Sequence, residues 1–254
     1  AVGIKANSTT QFYISEILNY GSDWDREKIM FKRPITIGGV TYSGFANMHA
    51  LSRRNDAPQE ASRPFDKARD GFVIGEGAAI MVLESRSHAE KRGAKILATI
   101  KGVGMSADAY HISAPRNDGE GVKLAIEAAL KDAQLTPADI GYVNTHGTST
   151  PLGDIAECNA IYQVFGGNVS HLKVNSSKGM IGHMLGAASA IEGIISIKSL
   201  EAQKVHGSVN ITEKDPEILL DVCENGSVDH KFDYAMSNSF GFGGHNSVVI
   251  FGRP

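Results

Sequence analysis

Hydrophobic and polar positions follow two different periods along the chain from about residue 71 onward. Strand-like apolar runs occur in "GFVIGEGAAIMVLES", "KILATIKGVGMSA", "IGYVNT" and "LKVNSS", and glycines or polar residues bound each run. Between them, "GEGVKLAIEAALKDAQL" has its apolar residues at helical spacing, namely Val122, Ala125, Ile126, Ala129 and Leu130. Strands that alternate with helices predict an α/β protein with a layered sheet.

Three further helices and a hairpin are predicted from local signals. "SHAEKRGA" predicts a short helix that ends at Gly93, and "DIAECNAIYQVFG" predicts a helix with Asp154 as its N-cap. A long apolar helix is expected from about 182 to 202, beginning near His183. The segment "YAMSNSFGFGGHNSVVIFG" predicts two strands joined by a glycine loop.

The N-terminal part of the chain is less regular. "TTQFYISEILNY" predicts a short helix, and "RPITIGGVTYSGF" contains a strand-like run and a glycine turn. Residues 52–70 are polar and contain two prolines, which predicts an ordered loop.

Composition and charge exclude several classes of protein. The chain is 42% hydrophobic and 21% charged, with a formal net charge of −3, which gives no electrostatic case for nucleic acid or an anionic membrane surface. Two cysteines, Cys158 and Cys223, are too few for a disulfide framework and form no C-x-x-C pair for structural zinc. The apolar stretch 184–200 contains Glu192 and Lys198, so we expect a buried helix and no membrane span. No N-terminal segment has the charged-then-apolar layout of a signal peptide, so we expect a protein that is not secreted.

Candidate chemistry lies where predicted strands end. His146 follows "IGYVNT" and precedes the small and hydroxyl residues 147–150, while Lys178 follows "LKVNSS" and His183 comes shortly after it. Reactive groups gather at strand C-terminal ends in such sheets. A histidine at a strand end is nevertheless more often structural, and both interpretations stay open here. The two histidines lack a carboxylate or cysteine companion at ligand spacing, which disfavours a metal site.

The surroundings of the two histidines favour the neutral imidazole. The N-terminal dipole of the long helix near His183 and the Lys178 ammonium would both disfavour an imidazolium. Neutral imidazole N–H groups are able to donate to a developing oxyanion, which is where most catalytic stabilisation arises. Two such donors suit the enolate of a thioester.

Two other features have competing interpretations. Glu192 lies in an otherwise apolar helix, so it either faces solvent or pairs with a buried cation such as Lys178, and we favour the pair. The stretch "SNSFGFGGHN" has three glycines around Phe240 and Phe242. It is either a tight hairpin or a hinged loop whose phenylalanine gates an apolar channel.

Five segments, in this order, resemble the β-ketoacyl-acyl-carrier-protein synthases of the type II elongating class. They are "SRPFDKARDGFVIGEGA", "DAYHISAP", "NTHGTSTPLGD", "NSSKGMIGHMLGAASAIEG" and "SNSFGFGGHN". The resemblance covers about Gly44 to the C-terminus and implies a thiolase-like layered fold of two similar α/β halves. By this resemblance, 44–92 is the end of the first half, 93–254 is the second half, and 1–43 is a divergent segment of uncertain structure.

The resemblance also implies an activity, which is fatty acid elongation by decarboxylative Claisen condensation of an acyl-enzyme with malonyl-carrier protein. His146 and His183 would be the catalytic histidines and Lys178 the supporting lysine. The other implied roles are a phosphopantetheine site at Thr148 and Thr150, a gate at Phe242, an anchor for the gating loop at Asp108, and a place for Glu192 in the Lys178 network.

The same resemblance implies partners. The acyl carrier protein would deliver the phosphopantetheine arm, so the chain would need no cofactor or metal of its own, and the complete protein would be a homodimer. Arg53 and Arg54 would lie on the face that meets the acidic carrier protein, although two solvated arginines are an equally good interpretation. A bacterial-type cytoplasm, a plastid and a mitochondrial matrix all suit this pathway.

The nucleophile departs from the family pattern. The family uses a cysteine in a strand-to-helix turn upstream of the Gly44 region, and neither Cys158 nor Cys223 matches it. We therefore expect a fragment that lacks the nucleophile segment. The alternatives are a non-catalytic partner subunit of a condensing-enzyme heterodimer, and a portion of a polyketide-type ketosynthase or another thiolase-fold enzyme. His245 also stands where the family usually has threonine, with no assigned consequence.

Overall fold

The structure is a computed structural model that describes residues 12–18, as backbone only, and residues 38–254. The strand-like run predicted just before residue 38 lies outside these ranges.

One mixed sheet organises the described chain. Its seven strands are β1 (Phe12–Leu18), β2 (Ile80–Ser85), β3 (Ala98–Ala107), β4 (Ile140–Asn144), β5 (Lys173–Asn175), β8 (Tyr234–Gly241) and β9 (His245–Gly252). Two short strands, β6 (Lys204–Val205) and β7 (Val228–Asp229), pair with each other separately. The order across the large sheet is β2-β1-β3-β9-β8-β4-β5. β4 is parallel to both β5 and β8, and the other neighbours are antiparallel.

Helices cover both faces of this sheet. They are α1 (Gly39–Asn47), α2 (Arg86–Lys91), α3 (Glu120–Ala133), α4 (Pro151–Phe165), α5 (Lys178–Ile181) and α6 (Ala188–Ala202). The five apolar positions predicted for the face of α3 are all buried, and they form one core cluster with α4. A second cluster contains Ile197 and Leu200 of α6.

The two clusters lie on opposite faces because neighbouring strand residues point in opposite directions. Val143 and Ile250 belong to the cluster with α3, whereas Tyr142 and Phe251, one position away in β4 and β9, belong to the cluster with α6. The described chain therefore has helices, sheet and helix in three layers, and the expected α/β class is confirmed.

Two N-terminal predictions are wrong. "TTQFYISEILNY" contains β1, a strand that pairs with β2 and β3, and not a helix. The β2 residues that pair with β1 lie some 60 or more positions further along the chain. Strand pairing with them therefore overrides the local helical pattern. The glycine turn predicted within "RPITIGGVTYSGF" is instead the beginning of α1, which includes Gly39 and Gly44.

Two helix starts also differ from the prediction. α4 begins at Pro151 with Thr150 as its N-cap residue, because proline fits the first helical position. Asp154 lies inside the helix, where its carboxylate accepts the backbone N–H groups of Ser149 and Phe65 at 3.1 and 3.0 Å. The long helix predicted over 182–202 begins only at Ala188 as α6, because Gly182 and Leu185 before it have positive φ angles of +67° and +47°.

Strand direction brings four loops to one edge of the sheet. β4, β5 and β8 run the same way, and β3 runs with them because β9 lies antiparallel between β3 and β8. The residues that follow these four strands, or end them, include Asp108, His146, Lys178 and Phe242. Residues that are far apart in the sequence thus converge at a single place.

No helix within the described ranges combines the length and hydrophobicity needed to cross a bilayer, the longest of them having 15 residues.

A glycine in β3 tests how tightly α3 packs on the sheet. A Cβ atom at Gly104 would lie 1.9 Å from the carbonyl oxygen of Ala125 and 2.5 Å from the nitrogen of Ala129. Because backbone atoms of α3 would have to shift, Gly104→Ala should lower the free energy of unfolding by about 1–3 kcal/mol or more. Urea denaturation measures this change. Gly167→Ala is the matched control, since its Cβ meets nothing within 4 Å, and equal losses in the two variants would contradict the packing argument.

Candidate functional site

A cleft of about 660 Å³ opens at the sheet edge where the four loops meet. Six of the eight site residues predicted from the sequence line it: Asp108, His146, Thr148, Thr150, His183 and Phe242. Lys178 is buried and does not line the cleft. Glu192 is also fully buried and lies outside the lining.

The two histidines are direct neighbours. Their ring centroids are 5.3 Å apart, and the planes are almost perpendicular at 85°. Phe240 packs beside His146 and Phe72 beside His183, with centroid separations of 5.3 and 5.2 Å. Aromatic rings therefore keep water away from one side of each imidazole.

Both imidazoles are held in the neutral form. Burial is the main cause that lowers the pKa of His146 well below its usual value, and the charges of Lys178 and His183 add to it. Burial, followed by the Lys178 charge, lowers the pKa of His183 to about 3. The neutral state agrees with the sequence-based expectation, but the predicted helix dipole is not its cause, because α6 begins only at Ala188.

A backbone amide fixes the tautomer of His183. The N–H of Leu185 donates to Nδ1 of His183 at 3.2 Å, so Nδ1 is an acceptor and the ring proton lies on Nε2. Leu185 adopts a left-handed conformation with φ +47°, which costs conformational energy in a residue other than glycine. The chain thus accepts local strain where it presents an imidazole N–H.

A buried ion pair lies behind the histidines. The Lys178 ammonium, at the start of α5, bonds the carboxylate of Glu192 on α6, and the two side chains are 1% and 0% exposed. Burial raises the pKa of Glu192, and the Lys178 charge opposes this rise. Removing one member of such a pair typically costs about 3–5 kcal/mol, because the other charge is left buried. The structure therefore pairs Glu192, as the sequence interpretation favoured.

The hairpin between β8 and β9 is held against the loop that follows β3. The backbone N–H of Asp108 donates to the carbonyl of Gly244 at 2.9 Å, and its carboxylate accepts Nδ2 of Asn246 at 2.7 Å. Gly244 has φ +74°, and a Cβ there would lie 2.8 Å from that of Asp108, so glycine is required. The tight hairpin and the cleft-lining loop are thus the same segment.

The ring of Phe242, at the tip of this hairpin, is 46% exposed and lies 5.9 Å from that of Phe45. Elsewhere in the cleft lining, the hydroxyls of Thr148 and Thr150 are 3.0 Å apart. The gating role of Phe242 and the ligand contacts of the threonines stay predictions.

Glu157 is a site residue that the sequence interpretation missed. It lies buried in α4, lines the cleft, and accepts the N–H groups of His146 and Gly147 at 2.9 Å each and Nδ2 of Asn238 at 3.0 Å. Burial raises its pKa to about 7. The sequence did contain a signal for it. An acidic residue stands two turns into the helix that follows His146, and a buried carboxylate there needs hydrogen-bond donors from its surroundings.

Neither cysteine belongs to the cleft. Cys158 and Cys223 are 2% and 5% exposed and lie in the two separate core clusters. Burial raises the pKa of Cys158 far above its usual value and that of Cys223 to about 11. Since the thiolate is the nucleophile, neither thiol is suited to attack a thioester.

Within residues 12–18 and 38–254, no group of three or more His, Cys, Asp or Glu side chains is arranged to hold a metal ion.

Comparisons with known proteins agree with this geometry. The model of the β-ketoacyl synthase N-terminal domain matches residues 35–89, and that of the C-terminal domain matches residues 97–212. The chloroplastic 3-oxoacyl-[acyl-carrier-protein] synthase I of Arabidopsis thaliana is 50% identical over 218 residues, which are 86% of this chain and 45% of that protein. The 3-oxoacyl-[acyl-carrier-protein] synthase 2 of Vibrio harveyi is 49% identical over 210 residues, or 82% of this chain and 51% of that protein.

Solved structures give the same result. A type II PKS ketosynthase, in complex with its acyl-carrier protein and bound to the hexaketide, superimposes with a TM-score of 0.84 at 38% identity. It is matched over 87% of this chain and 54% of its own. A β-ketoacyl synthase from Burkholderia phymatum superimposes with a TM-score of 0.83 at 40% identity, over 87% of this chain and 53% of its own.

The layered sheet and its likeness to the ketosynthase structures define a thiolase-like α/β fold. The chain belongs to the β-ketoacyl synthase family. It spans about half the length of the curated relatives it matches. The boundary between two synthase halves at residue 92 stays a prediction. In the sheet, β2 from before this boundary and β3 from after it both pair with β1, so the sheet is continuous across it.

The burial of the cysteines generates a direct prediction. Incubation of the chain with an acyl-carrier protein that bears an acyl thioester should give no acyl adduct, because neither thiol reaches the cleft or ionises near neutral pH. Intact-protein mass spectrometry checks this. The chain unfolded in denaturant and treated with a thiol reagent is the control, since both cysteines should then react. A stoichiometric acyl adduct on Cys158 or Cys223 of the folded chain would contradict it.

Proposed function

We propose that the protein is a 3-oxoacyl-acyl-carrier-protein synthase, an acyltransferase that elongates fatty acyl chains by decarboxylative Claisen condensation. The curated relatives bearing that name and the convergence of the histidines, lysine and threonines at one cleft support this proposal. This chain supplies the side of the active site that decarboxylates the malonyl thioester.

The paired neutral histidines carry the argument. When the malonyl group loses carbon dioxide, the electron pair of the breaking C–C bond moves to the α-carbon, and negative charge develops on the thioester oxygen. Two imidazole N–H donors, at His146 and His183, stabilise that oxygen, and the bond from Leu185 fixes the donor of His183 at Nε2. The enolate then attacks the acyl group and releases the thiol that carried it.

The Lys178–Glu192 pair supports this step from behind. The ammonium disfavours a second proton on either histidine, and the carboxylate compensates its charge inside the protein. Lys178 therefore acts on the reaction through the histidines.

The remaining cleft residues bind and admit the substrate. Thr148 and Thr150 donate to the phosphopantetheine arm that the acyl carrier protein brings, so no cofactor of the chain itself is needed. Phe242 gates the cleft, and Asp108 anchors the gating hairpin. The acyl-accepting thiol comes from polypeptide outside these 254 residues, because neither cysteine here is suited to the role. We propose a homodimer for the complete protein, in a bacterial-type cytoplasm, plastid or mitochondrial matrix.

A polyketide-type ketosynthase is the second candidate function. The favouring observation is the close structural likeness to a type II PKS ketosynthase. A non-catalytic partner subunit is less well supported, since such a subunit has no need of a costly buried lysine pair beside two neutral imidazoles. Activity of a complete protein with malonyl- and acyl-carrier proteins of fatty acid synthesis separates the three.

Substitution of the histidines tests the proposed chemistry. In a complete protein with its nucleophile segment, His146→Ala and His183→Ala should each slow malonyl decarboxylation about 10²–10³-fold, the usual cost of losing one oxyanion donor. The double variant should lose less than the product of the two single losses, because the donors act on one oxygen. The measurement is carbon dioxide release, with acyl transfer to the nucleophile followed separately. Normal decarboxylation with failed acyl transfer in both single variants would show that the histidines do not stabilise the enolate.

An exposed arginine tests the carrier-protein partner. Arg53 is exposed beside His49 and Asp70, which line the cleft, whereas Arg54 is half-buried and reaches the carbonyl of Ala68. Arg53→Glu should therefore slow association with the acidic carrier protein, and added salt should reduce the difference from the unsubstituted protein. Arg54→Glu should add a smaller effect on the rate.

Stopped-flow association at two salt concentrations measures the effect. Lys95→Glu, a charge reversal at an exposed position outside the cleft lining, is the matched control. Unchanged kinetics for Arg53→Glu together with Arg54→Glu would remove these residues from the docking face.

A further inference from the structure

A chain of buried hydrogen bonds lies on the side of β4 and β5 that faces α6. Nδ2 of Asn144, the last residue of β4, donates to the Tyr142 hydroxyl at 3.0 Å and to Oγ of Ser177 at 2.9 Å. The Tyr142 hydroxyl donates to Oδ1 of Asn175, the last residue of β5, at 2.9 Å. Nδ2 of Asn175 continues the chain to the carbonyl of His206 at 2.6 Å. The network therefore ties together the ends of the strands that lead to His146 and Lys178.

Ser177 connects this network to the lysine. It is completely buried and directly precedes Lys178 at the start of α5. Its carbonyl accepts the N–H groups of Met180 and Ile181 at 3.0 and 3.2 Å, so the position of Ser177 sets the single turn from which the lysine projects. A four-residue helix has little stability of its own and depends on such outside contacts.

The direction of the hydrogen bond between Ser177 and His206 follows from the other ring nitrogen. Nδ1 of His206 lies 2.9 Å from the carbonyl oxygen of Gly207, which only accepts, so Nδ1 carries the proton. Burial lowers the pKa of His206, and Lys198 and Lys204 line the same surface recess, so a second proton is disfavoured. Nε2 is then an acceptor, and the Ser177 hydroxyl donates to it over 3.1 Å.

We propose that His206 is a positioning residue: by accepting the hydroxyl of Ser177 at Nε2, it fixes the first turn of α5 and with it the Lys178 ammonium beside His183. The role rests on the proposed function, since the ammonium position matters to the reaction through the charge state of the histidines. His206 itself lies outside the cleft lining and does not touch the substrate.

The position of Lys178 is measurable without turnover. Burial is the main cause of the lowered pKa of His183 and the Lys178 charge adds to it, so a displaced ammonium lets that pKa rise by the part that the charge contributes. NMR titration of the histidine rings in the 254-residue chain reports it directly. The NMR titration needs no turnover, so it tests the role of His206 even if the histidine variants show that the proposed function is wrong. A wrong positioning role and a wrong proposed function are therefore distinguishable.

Three variants make the experiment specific. His206→Leu removes the acceptor at similar size and should raise the pKa of His183. Ser177→Ala removes the donor and should raise it similarly, and combining it with His206→Leu should add little, because both break one hydrogen bond. His206→Gln places an amide oxygen near the former Nε2 and should restore the low pKa of His183.

The control is His230→Leu. His230 is also half-buried, and its Nε2 lies 3.0 Å from the carbonyl oxygen of Gly141, at the other end of β4 and away from α5. The His230→Leu variant should leave the pKa of His183 unchanged. In the complete protein, His206→Leu should slow malonyl decarboxylation about tenfold, as expected for one lost buried hydrogen bond, and His206→Gln should recover most of the rate.

Two results would overturn the proposal. One is an unchanged pKa of His183 in His206→Leu, with the folded state verified by urea denaturation. The other is a His206→Gln variant that behaves like His206→Leu, which would mean that the ring volume and not the acceptor is needed.

Discussion

The buried pair of Lys178 and Glu192 is the interaction on which the site depends. An ammonium without water is tolerated only beside a carboxylate, and the carboxylate is tolerated only beside the ammonium. Their mutual requirement fixes α5 against α6, although the two helices are separated by an irregular stretch that contains His183. The same positive charge then disfavours protonation of the two imidazoles. One interaction therefore joins the packing of two helices to the charge state of the cleft.

Much of this arrangement could be predicted from the sequence. The apolar spacing of α3, the strands before His146 and Lys178, and the glycine hairpin of β8 and β9 all have local signals, and each was predicted correctly. The parallel direction of β4, β5 and β8 then places the residues after them at one edge. Local pattern and strand direction were thus sufficient to assemble most of the cleft.

The missed features depend on long-range contacts. β1 carries an ambiguous local pattern, and its strand conformation comes from pairing with β2 and β3. Glu157 is recognisable only when its three hydrogen-bond donors, two of them backbone groups, are seen around it. The late start of α6 at Ala188 follows two positive φ angles, at Gly182 and Leu185, and helix propensities do not contain such backbone angles. In each case the deciding partner is distant or is a backbone conformation.

The left-handed backbone at Leu185 has a consequence for how this site can change over time. The ring proton of His183 is placed by a main-chain amide, and every amino acid except proline carries that group. Substitution of the Leu185 side chain therefore leaves the donor in place as long as the local dihedral angle survives. Relatives of this protein need to keep the positive φ angle at this position and not the leucine side chain. A comparison of residue identities alone would miss that requirement.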